Sequence, residues 1–209
     1  MKTILPVIAV LILCLTLSTA FVADTTTNDG YSIGDIAAPI DLLNVDGKRV
    51  SYADYPNARG FIVIFTCNTC PYAVASEDRI NALDAEFKPK GYPVIAINPN
   101  DPALQPADTY ELMQKKAAEK KFSFPYLYDK TNTVYAQYGA TKTPHVYILQ
   151  KEKTGDLTVA YIGAIDDNVR DADNVNERFA ANAVNELLAG KEVSVKETRA
   201  IGCSVKQAK

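Results

Sequence analysis

The chain has 209 residues, 47% of them hydrophobic and 22% charged, with 25 acidic and 22 basic side chains. This balance is typical of one soluble globular domain and excludes collagen-like, low-complexity and intrinsically disordered proteins. The formal charge of -3, without any cluster of lysine or arginine, excludes the basic surface by which proteins bind nucleic acids. The one long apolar run lies at the amino terminus, which excludes a multi-pass membrane protein.

Residues 1–20 have the features of a signal peptide. Lys2 supplies a positive start, residues 4–17 form an apolar stretch, and residues 18–20 are the small side chains that a signal peptidase reads. The stretch is shorter than the ~20 residues that a membrane-spanning helix needs. We therefore expect an exported protein, either periplasmic or secreted.

Removal of residues 1–20 leaves three cysteines, namely Cys67, Cys70 and Cys203, in an oxidising compartment. Because three is an odd number, at least one thiol lacks an internal partner at any moment. Lipidation at Cys14 is disfavoured, because a leucine precedes it where a small residue is expected.

The rest of the chain alternates between strand and helix patterns. After a polar, flexible lead-in over residues 21–30, a turn at 44–47 followed by residues 50–55 predicts a small hairpin. A continuous apolar run at residues 61–65 predicts a strand buried on both faces, and residues 92–98 predict a second buried strand. Further strands are predicted at residues 124–128, 146–149 and 157–162. Apolar residues at three- and four-residue spacing predict helices, at residues 71–90, 108–122, 132–138 and 174–189. An Asp108-x-x-Glu111 capping box marks the start of the second helix.

Strands that alternate with helices predict an α/β fold with a central mixed sheet and helices on both faces. The strands at 146–149 and 157–162 form a hairpin, which adds an antiparallel edge to that sheet. No repeat or linker interrupts residues 31–200. We therefore expect one domain over residues 31–209, which ends in a cysteine-containing tail.

Cys67 and Cys70 lie between the predicted strand 61–65 and the helix that begins at Pro71. The N–H groups and the dipole at a helix start stabilise a thiolate by about 0.3–1 kcal/mol, which yields a nucleophile at neutral pH. The spacing of the two cysteines brings the second sulfur within one helical turn, where it can resolve a mixed disulfide. We expect Cys67, at the exposed cap, to be the attacking sulfur and Cys70, one turn further, to be the resolving sulfur.

Other kinds of site use the same residue types. A zinc site would need a second Cys-x-x-Cys, which is missing, or His145 together with Cys203 and a further ligand. A copper-binding or metallochaperone site could use Cys67, Cys70 and His145, because thiolates and imidazole suit copper. A binding module would use the disulfide only to stabilise a loop, and its reduction potential would lie below about -300 mV.

Seven segments between about residues 31 and 206 are informative together, at residues 65–71, 76–80, 96–101, 124–129, 138–145, 163–168 and 198–204. With them, the sequence resembles the redoxin branch of the thioredoxin-like superfamily, and in particular its peroxiredoxin-like subgroup. This combination is far more specific than the Cys-x-x-Cys motif alone.

The resemblance implies a thioredoxin-like fold in which Cys67 and Cys70 cycle between dithiol and disulfide. It implies that Thr143 and Pro144 form a cis-proline loop that faces the cysteines and presents its backbone to a protein substrate, although Pro144 could also be an ordinary residue at the start of a strand. No organic cofactor and no metal are implied, because the sulfurs carry the electrons. The partners implied are proteins with disulfides or dithiols and an electron donor. The resemblance slightly favours a reductase of substrate disulfides, supplied with electrons by that donor.

Peroxide reduction is disfavoured as the main activity. The resemblance implies that a peroxide-reducing cysteine in this lineage lies three residues after a Thr or Ser and seven residues after a Pro. Before Cys67, these positions hold Ile64 and Gly60, and neither residue can supply the required group.

Three further residues are accessory candidates. Glu77 falls on the apolar stripe of the helix that follows Cys70, where it could relay protons to the resolving thiol or pair with Arg79 or a lysine. His145 could titrate near the disulfide or simply enter a strand. Cys203 could pair with another subunit, act as an extra resolving thiol, or stay unreactive.

A polar segment follows the predicted strand 92–98. Asn98, Asn100 and Asp101 stand at the carboxyl end of this strand, and ligands bind at that edge in open α/β sheets. The same residue types are also common in turns. We favour the turn.

Overall fold

The computed structural model describes residues 30–207. In this range the strands and helices are β1 (Asp41–Asn44), β2 (Arg49–Ser51), β3 (Gly60–Phe65), α1 (Pro71–Phe87), β4 (Val94–Asn98), α2 (Tyr110–Glu119), β5 (Tyr126–Tyr128), α3 (Val134–Tyr138), β6 (Lys142–Thr143), β7 (His145–Lys151), β8 (Leu157–Gly163), α4 (Phe179–Leu188) and β9 (Cys203–Ser204). The predicted signal peptide at 1–20, with Cys14, and all but the last residue of the lead-in lie outside the described residues.

The main sheet has seven strands in the order β2-β1-β5-β4-β3-β7-β8. The three central strands β5, β4 and β3 run parallel to one another. β1 is antiparallel to β5, and β7 and β8 continue the sheet beyond β3 in antiparallel pairs. β6 and β9 form a separate two-stranded sheet. The predicted α/β fold with a mixed sheet and an antiparallel hairpin at its edge is therefore confirmed.

β3 is buried along its whole length because both faces of the sheet are covered. Ile62 and Ile64 point into a core formed with residues of α1, α2 and α4. Phe61, Val63 and Phe65 point to the opposite core, which includes residues of α3 and of the segment before β1. A strand buried on both faces is apolar at every position, so the sequence predicted the bounds of β3 closely.

The helix boundaries differ more from the prediction than the strand boundaries do. The first helix ends at Phe87 and continues as a 3-10 turn over residues 88–90. The second begins after Thr109, whose hydroxyl accepts the Leu112 N–H, so the predicted cap at Asp108 is wrong. The buried carboxylate of Asp108 binds other groups, described below. No helix within residues 30–207 combines the length and the apolar character that crossing a bilayer requires.

Candidate active site

The two neighbouring cysteines lie where β3 passes into α1. The Thr66 N–H donates to the Ile97 carbonyl at 2.9 Å, which continues the pairing with β4 to the end of the strand. The chain then leaves the sheet, and α1 starts at Pro71, where the missing N–H of proline costs nothing. Cys67 and Cys70 therefore stand on the short connection that joins the central strand to the helix.

Cys70 is the N-cap residue of α1, and its carbonyl accepts the Val74 N–H at 2.9 Å. Cys67 lies in the loop before the cap, and each cysteine is only 5% exposed. The expectation that Cys67 forms an exposed cap is therefore wrong. The reason is that four residues lie between the end of the strand at Phe65 and the cap, so the second cysteine, and not the first, is at the helix start.

Thr143 contacts both sulfurs. Its Oγ1 lies 3.2 Å from Cys67 Sγ, and its carbonyl oxygen accepts from Cys70 Sγ at 3.1 Å. The Thr143-Pro144 peptide bond is cis, and Thr143 is fully buried. The sequence segment that carries this cis bond thus lies directly against the cysteine pair.

Cys67 and Cys70 ionise as a pair. The hydrogen bond from Cys67 lowers the pKa of Cys70, and the backbone N–H groups of Ala73 and Cys203 lower it further. The interaction with Cys70, together with burial, raises the pKa of Cys67. One proton held between two sulfurs leaves one thiolate in the pair, and the thiolate is the form that takes part in disulfide exchange.

The third cysteine belongs to the same cluster. Residues 199–207, here called the tail, bring Cys203 opposite Thr143 in the small β6–β9 sheet. The Cys203 N–H donates to Cys70 Sγ at 3.3 Å. Burial and the neighbouring Cys70 raise the pKa of Cys203 to about 11. The structure thus brings together Cys67, Cys70, Thr143 and Cys203, all of which the sequence had marked as candidates.

A buried polar network fixes the loop between the two cysteines. The Asn68 N–H donates to Asp108 Oδ1 at 2.7 Å, and the Asn68 amide donates to the Ala107 carbonyl at 2.8 Å. The Tyr126 hydroxyl donates to Asn68 Oδ1 at 3.0 Å, and Asn100 donates to Asp108 Oδ2 at 2.6 Å. Sequence reasoning missed this role of Asn68, Asp108 and Tyr126, since the partners are far apart in the chain.

The polar segment after β4 also holds the tail. Asn100 Oδ1 accepts the Lys206 N–H, and the Asp101 N–H donates to the Lys206 carbonyl, each at 2.8 Å. The Asn100 N–H donates to Asn98 Oδ1, a side-chain contact of the kind expected in a turn. This segment therefore forms a turn, as we favoured, and in addition connects the tail to the network beneath the cysteine loop.

Glu77 is buried and binds lysines of the neighbouring helix. Its carboxylate oxygens lie 2.6 Å from Lys116 Nζ and 3.1 Å from Lys120 Nζ. Arg79 binds Asp166 instead, at 2.6 Å. Of the two alternatives for Glu77, the structure supports an ion pair with lysine, which ties α1 to α2, rather than a contact with the resolving thiol.

His145 is buried at the start of β7, opposite Phe65 of β3. Its ring packs against Tyr147 with 4.8 Å between ring centroids. Burial lowers the pKa of His145 to about 4, so the imidazole is neutral at physiological pH and does not titrate there. Within residues 30–207, no group of three or more Cys, His, Asp or Glu side chains is placed to hold a metal ion, and this includes the set Cys67, Cys70 and His145.

Known proteins share this architecture. The model of the AhpC/TSA family matches residues 33–157. The thiol-disulfide oxidoreductase ResA of Halalkalibacterium halodurans is 23% identical over 132 residues, which are 63% of this chain and 69% of ResA. The crystal structure of an uncharacterized conserved protein from Geobacillus kaustophilus is 35% identical, with a TM-score of 0.78, and the match covers 85% of this chain and 93% of that chain.

The fold is also found in proteins of lower sequence identity. The thioredoxin domain of a thiol-disulfide oxidoreductase from Bacteroides vulgatus is 20% identical, with a TM-score of 0.51, and the match covers 64% of this chain and 91% of that domain. This likeness identifies the mixed sheet and its helices as a thioredoxin-like fold. The fold that the sequence resemblance implied is therefore confirmed.

Proposed function

Because the chain belongs to the AhpC/TSA family, we propose that it is a thiol–disulfide oxidoreductase in which Cys67 and Cys70 are the catalytic residues. The observation that carries this proposal is the placement of both sulfurs against Thr143, at 3.2 and 3.1 Å, where the central strand enters α1. The similarity to ResA supports the same reaction class.

In the reaction, the thiolate of Cys67 attacks one sulfur of a substrate disulfide, and the other substrate sulfur leaves as a thiolate. Cys70 then attacks the Cys67 sulfur, which releases the second substrate thiolate and closes the Cys67–Cys70 disulfide. The substrate gains two electrons and the cysteine pair loses two, and a dithiol donor restores the pair by the reverse exchange. The proton shared by the pair goes to a departing thiolate.

Cys67 is the better candidate for the attacking sulfur, although the lowered pKa lies at Cys70. The tail strand lies against Cys70, through the 3.3 Å contact of the Cys203 N–H, and the Thr143 carbonyl accepts from the same sulfur. Cys67 instead faces the Thr143 hydroxyl, which can donate to a thiolate. Transfer of the shared proton to Cys70 then places the charge on Cys67, the sulfur that faces the Thr143 hydroxyl.

Substrates of this reaction are proteins with disulfides or dithiols, and Thr143 and Pro144 would contact the substrate backbone beside the attacking sulfur. β6, which contains Thr143, is already paired with β9. A substrate strand that pairs with the same edge of β6 therefore displaces the tail. If residues 1–20 direct export, these substrates are periplasmic or secreted proteins, and fractionation of cells that produce the full chain tests this location.

Redox titration with thiol trapping tests the proposed reaction. The Cys67–Cys70 pair should titrate reversibly with glutathione or dithiothreitol buffers, and the reduced protein should reduce insulin disulfides. Cys70→Ser should accumulate a mixed disulfide with substrate through Cys67, whereas Cys67→Ser should not. A pair that remains oxidised in all these buffers would instead be a structural disulfide in a binding module.

Peroxide reduction stays disfavoured as the main activity. The positions that would supply the proline and the hydroxyl are Gly60 and Ile64, which lie inside β3 and are buried. We expect the reduced protein to consume hydrogen peroxide far more slowly than it reduces insulin. Equal rates for the two substrates would contradict this expectation.

A further inference from the structure

The tail places a cysteine beside the proposed catalytic pair. In the antiparallel β6–β9 sheet, Cys203 is the register partner of Thr143, and Ser204 is the partner of Lys142. Val205 extends this pairing, since its N–H donates to the Thr141 carbonyl. Cys203 is thus held at one position of a strand, next to the residue that contacts both catalytic sulfurs.

Of the two proposed catalytic sulfurs, Cys203 contacts that of Cys70. Its N–H donates to Cys70 Sγ at 3.3 Å, and Cys70 contributes to the raised pKa of Cys203. The cysteine that the tail backbone contacts, and that we expect to exchange with Cys203, is therefore Cys70.

The tail approaches the site closely at Gly202. A Cβ at this position would lie 2.2 Å from the Thr143 carbonyl oxygen and 2.6 Å from its carbonyl carbon, closer than real Cβ contacts come. A glycine before Cys203 is therefore what allows the tail backbone to lie against the segment with the cis bond.

The tail is nevertheless only lightly attached. No residue from 199 to 207 is buried, and Ile201 is 45% exposed. Apart from the contact of Cys203 with the cysteine cluster, it is held mainly by hydrogen bonds, to β6 and Thr141 on one side and to Asn100 and Asp101 on the other. Segments held in this way open at low free-energy cost, so the tail can move while the core stays folded.

We infer that Cys203 is a third redox thiol, which moves the disulfide from the buried pair to the tail. This inference rests on the proposed function. In the oxidised protein, the Cys203 thiolate attacks the Cys70 sulfur of the Cys67–Cys70 disulfide. The Cys70–Cys203 bond forms, the Cys67–Cys70 bond breaks, and Cys67 leaves as a thiolate that takes up the proton lost by Cys203. The number of disulfides does not change, so the step needs no oxidant or reductant.

The surroundings of each sulfur favour this exchange. The Thr143 hydroxyl can donate to Cys67 when it becomes the leaving thiolate. The raised pKa of Cys203 in the dithiol protein is caused by burial and by Cys70, and the contribution from Cys70 as an ionisable thiol disappears once Cys70 is in a disulfide. The product carries its disulfide on a half-buried tail cysteine rather than on a pair that is 5% exposed, and an electron donor reaches it more easily.

Tryptic mapping of the oxidised full chain tests this inference, because the sequence separates the two disulfides. Residues 60–79 contain Cys67 and Cys70 and no internal Lys or Arg, and residues 200–206 contain Cys203. After oxidation, acid quenching and alkylation, a Cys67–Cys70 disulfide stays within the first peptide. A Cys70–Cys203 disulfide links the two peptides into one species of their summed mass, less two hydrogens and, in wild type, plus the alkyl group on the freed Cys67 thiol.

We expect the linked species in wild type beside the internal disulfide, and as the main product in Cys67→Ser, where the competing bond is impossible. Cys70→Ser should not form it. The matched control is the double variant Cys203→Ser with Ser204→Cys, which keeps the composition of the tail but turns the thiol to the other face of the strand. In this control and in Gly202→Ala, the yield of the linked species should fall at least about tenfold, because disulfides form only within narrow geometric limits.

The inference is overturned if the linked species is missing from both wild type and Cys67→Ser, or if Cys203 appears only in disulfides between two molecules. Cys203→Ser separates this result from a failure of the proposed function. If that variant still forms a Cys67–Cys70 disulfide that titrates reversibly, the oxidoreductase stands without the third thiol. If the pair does not titrate even there, the proposed function itself is wrong.

Discussion

The backbone N–H of Asn68 donates a 2.7 Å hydrogen bond to the buried carboxylate of Asp108, forty residues further along the chain. This bond ties the loop between the cysteines to the segment before α2. The second carboxylate oxygen accepts from Asn100, which also accepts the Lys206 N–H of the tail. One carboxylate therefore links the cysteine loop with the residue that holds the tail, and both parts of the candidate site depend on it.

Asp108→Asn should loosen this link and lower the pKa of Cys67. The new amide N–H₂ would face either the Asn68 N–H or the Asn100 amide, so one buried donor loses its acceptor, at a cost of about 1–3 kcal/mol. The charge of Asp108 raises the pKa of Cys67, so its removal lowers that pKa. Urea unfolding measures the stability. The pH dependence of alkylation, in a protein that also carries both Cys70→Ser and Cys203→Ser, measures the pKa of Cys67.

Asp173→Asn is the control for this substitution, because Asp173 is exposed and lies in a 3-10 turn between β8 and α4. It should change neither the stability nor the alkylation profile. Equal effects of Asp108→Asn and Asp173→Asn on both measurements would show that the buried carboxylate has no special role at the loop.

Thr143→Val should slow disulfide reduction. Valine has the shape of threonine but lacks the hydroxyl that contacts Cys67 Sγ, and this contact lowers the pKa of Cys67. Its loss raises that pKa and leaves the thiolate without a donor, which costs about 1.5 kcal/mol, or roughly tenfold in rate at neutral pH. Insulin reduction measures the rate. Thr143→Ser keeps a hydroxyl and should recover most of it, and a Thr143→Val protein as fast as wild type would contradict the argument.

The elements that could be predicted are those whose signal is local. The run at 61–65 is apolar because both faces of β3 are covered, and Pro71 marks the start of α1 directly in the sequence. The position of β9 had no such signal. It is two residues long, and its pairing with β6 depends on backbone groups and on the fold of the whole chain.

The misplaced cap of α2 has the same kind of cause. Asp108 followed by Glu111 fits the local pattern of a capping box, but Thr109 caps the helix. The carboxylate of Asp108 is required by Asn68 and Asn100, which meet it only after β3 and β4 have paired. A local pattern cannot reveal a contact that tertiary structure creates, and the departure from the pattern marked a residue of the candidate site.

Glu77→Gln should lower stability and leave the pH dependence of disulfide reduction unchanged. The two carboxylate oxygens bind Lys116 of α2 and Lys120 directly after it, and a neutral amide would leave Lys116, which is largely buried, without its counter-charge, at a cost of about 1–3 kcal/mol. Urea unfolding and the pH profile of insulin reduction measure the two effects. Glu86→Gln is a matched change on the same helix, at an exposed ion pair with Arg178, and should cost less than about 1 kcal/mol. A pH profile that shifts in Glu77→Gln but not in Glu86→Gln would instead support the alternative in which Glu77 relays protons to the resolving thiol.

The burial of His145 should make stability depend on pH between about 4 and 6.5. The folded pKa of about 4 lies below the ordinary value of 6.5, so between these values the unfolded chain binds a proton that the folded protein does not. The contribution of His145 is therefore fully present above pH 6.5 and is lost as the pH falls towards 4, by about 3 kcal/mol in all. Urea unfolding of wild type and His145→Gln at intervals from pH 7 to pH 4 measures this difference, because the carboxylates titrate in both proteins and cancel.

The titration can also be observed directly, since His145 is the one histidine of the chain. Its ring signals in an NMR titration should stay constant from pH 8 to pH 6 and begin to shift only when the pH approaches 4. The ring packs on Tyr147, and the Tyr147 hydroxyl lies 3.5 Å from Nδ1. Tyr147→Phe removes this hydroxyl and keeps the neighbouring ring, so the pKa of His145 should stay low if burial is its cause. A midpoint near 6.5 in wild type would mean that the imidazole is solvated, and a rise only in Tyr147→Phe would assign the low pKa to the hydroxyl.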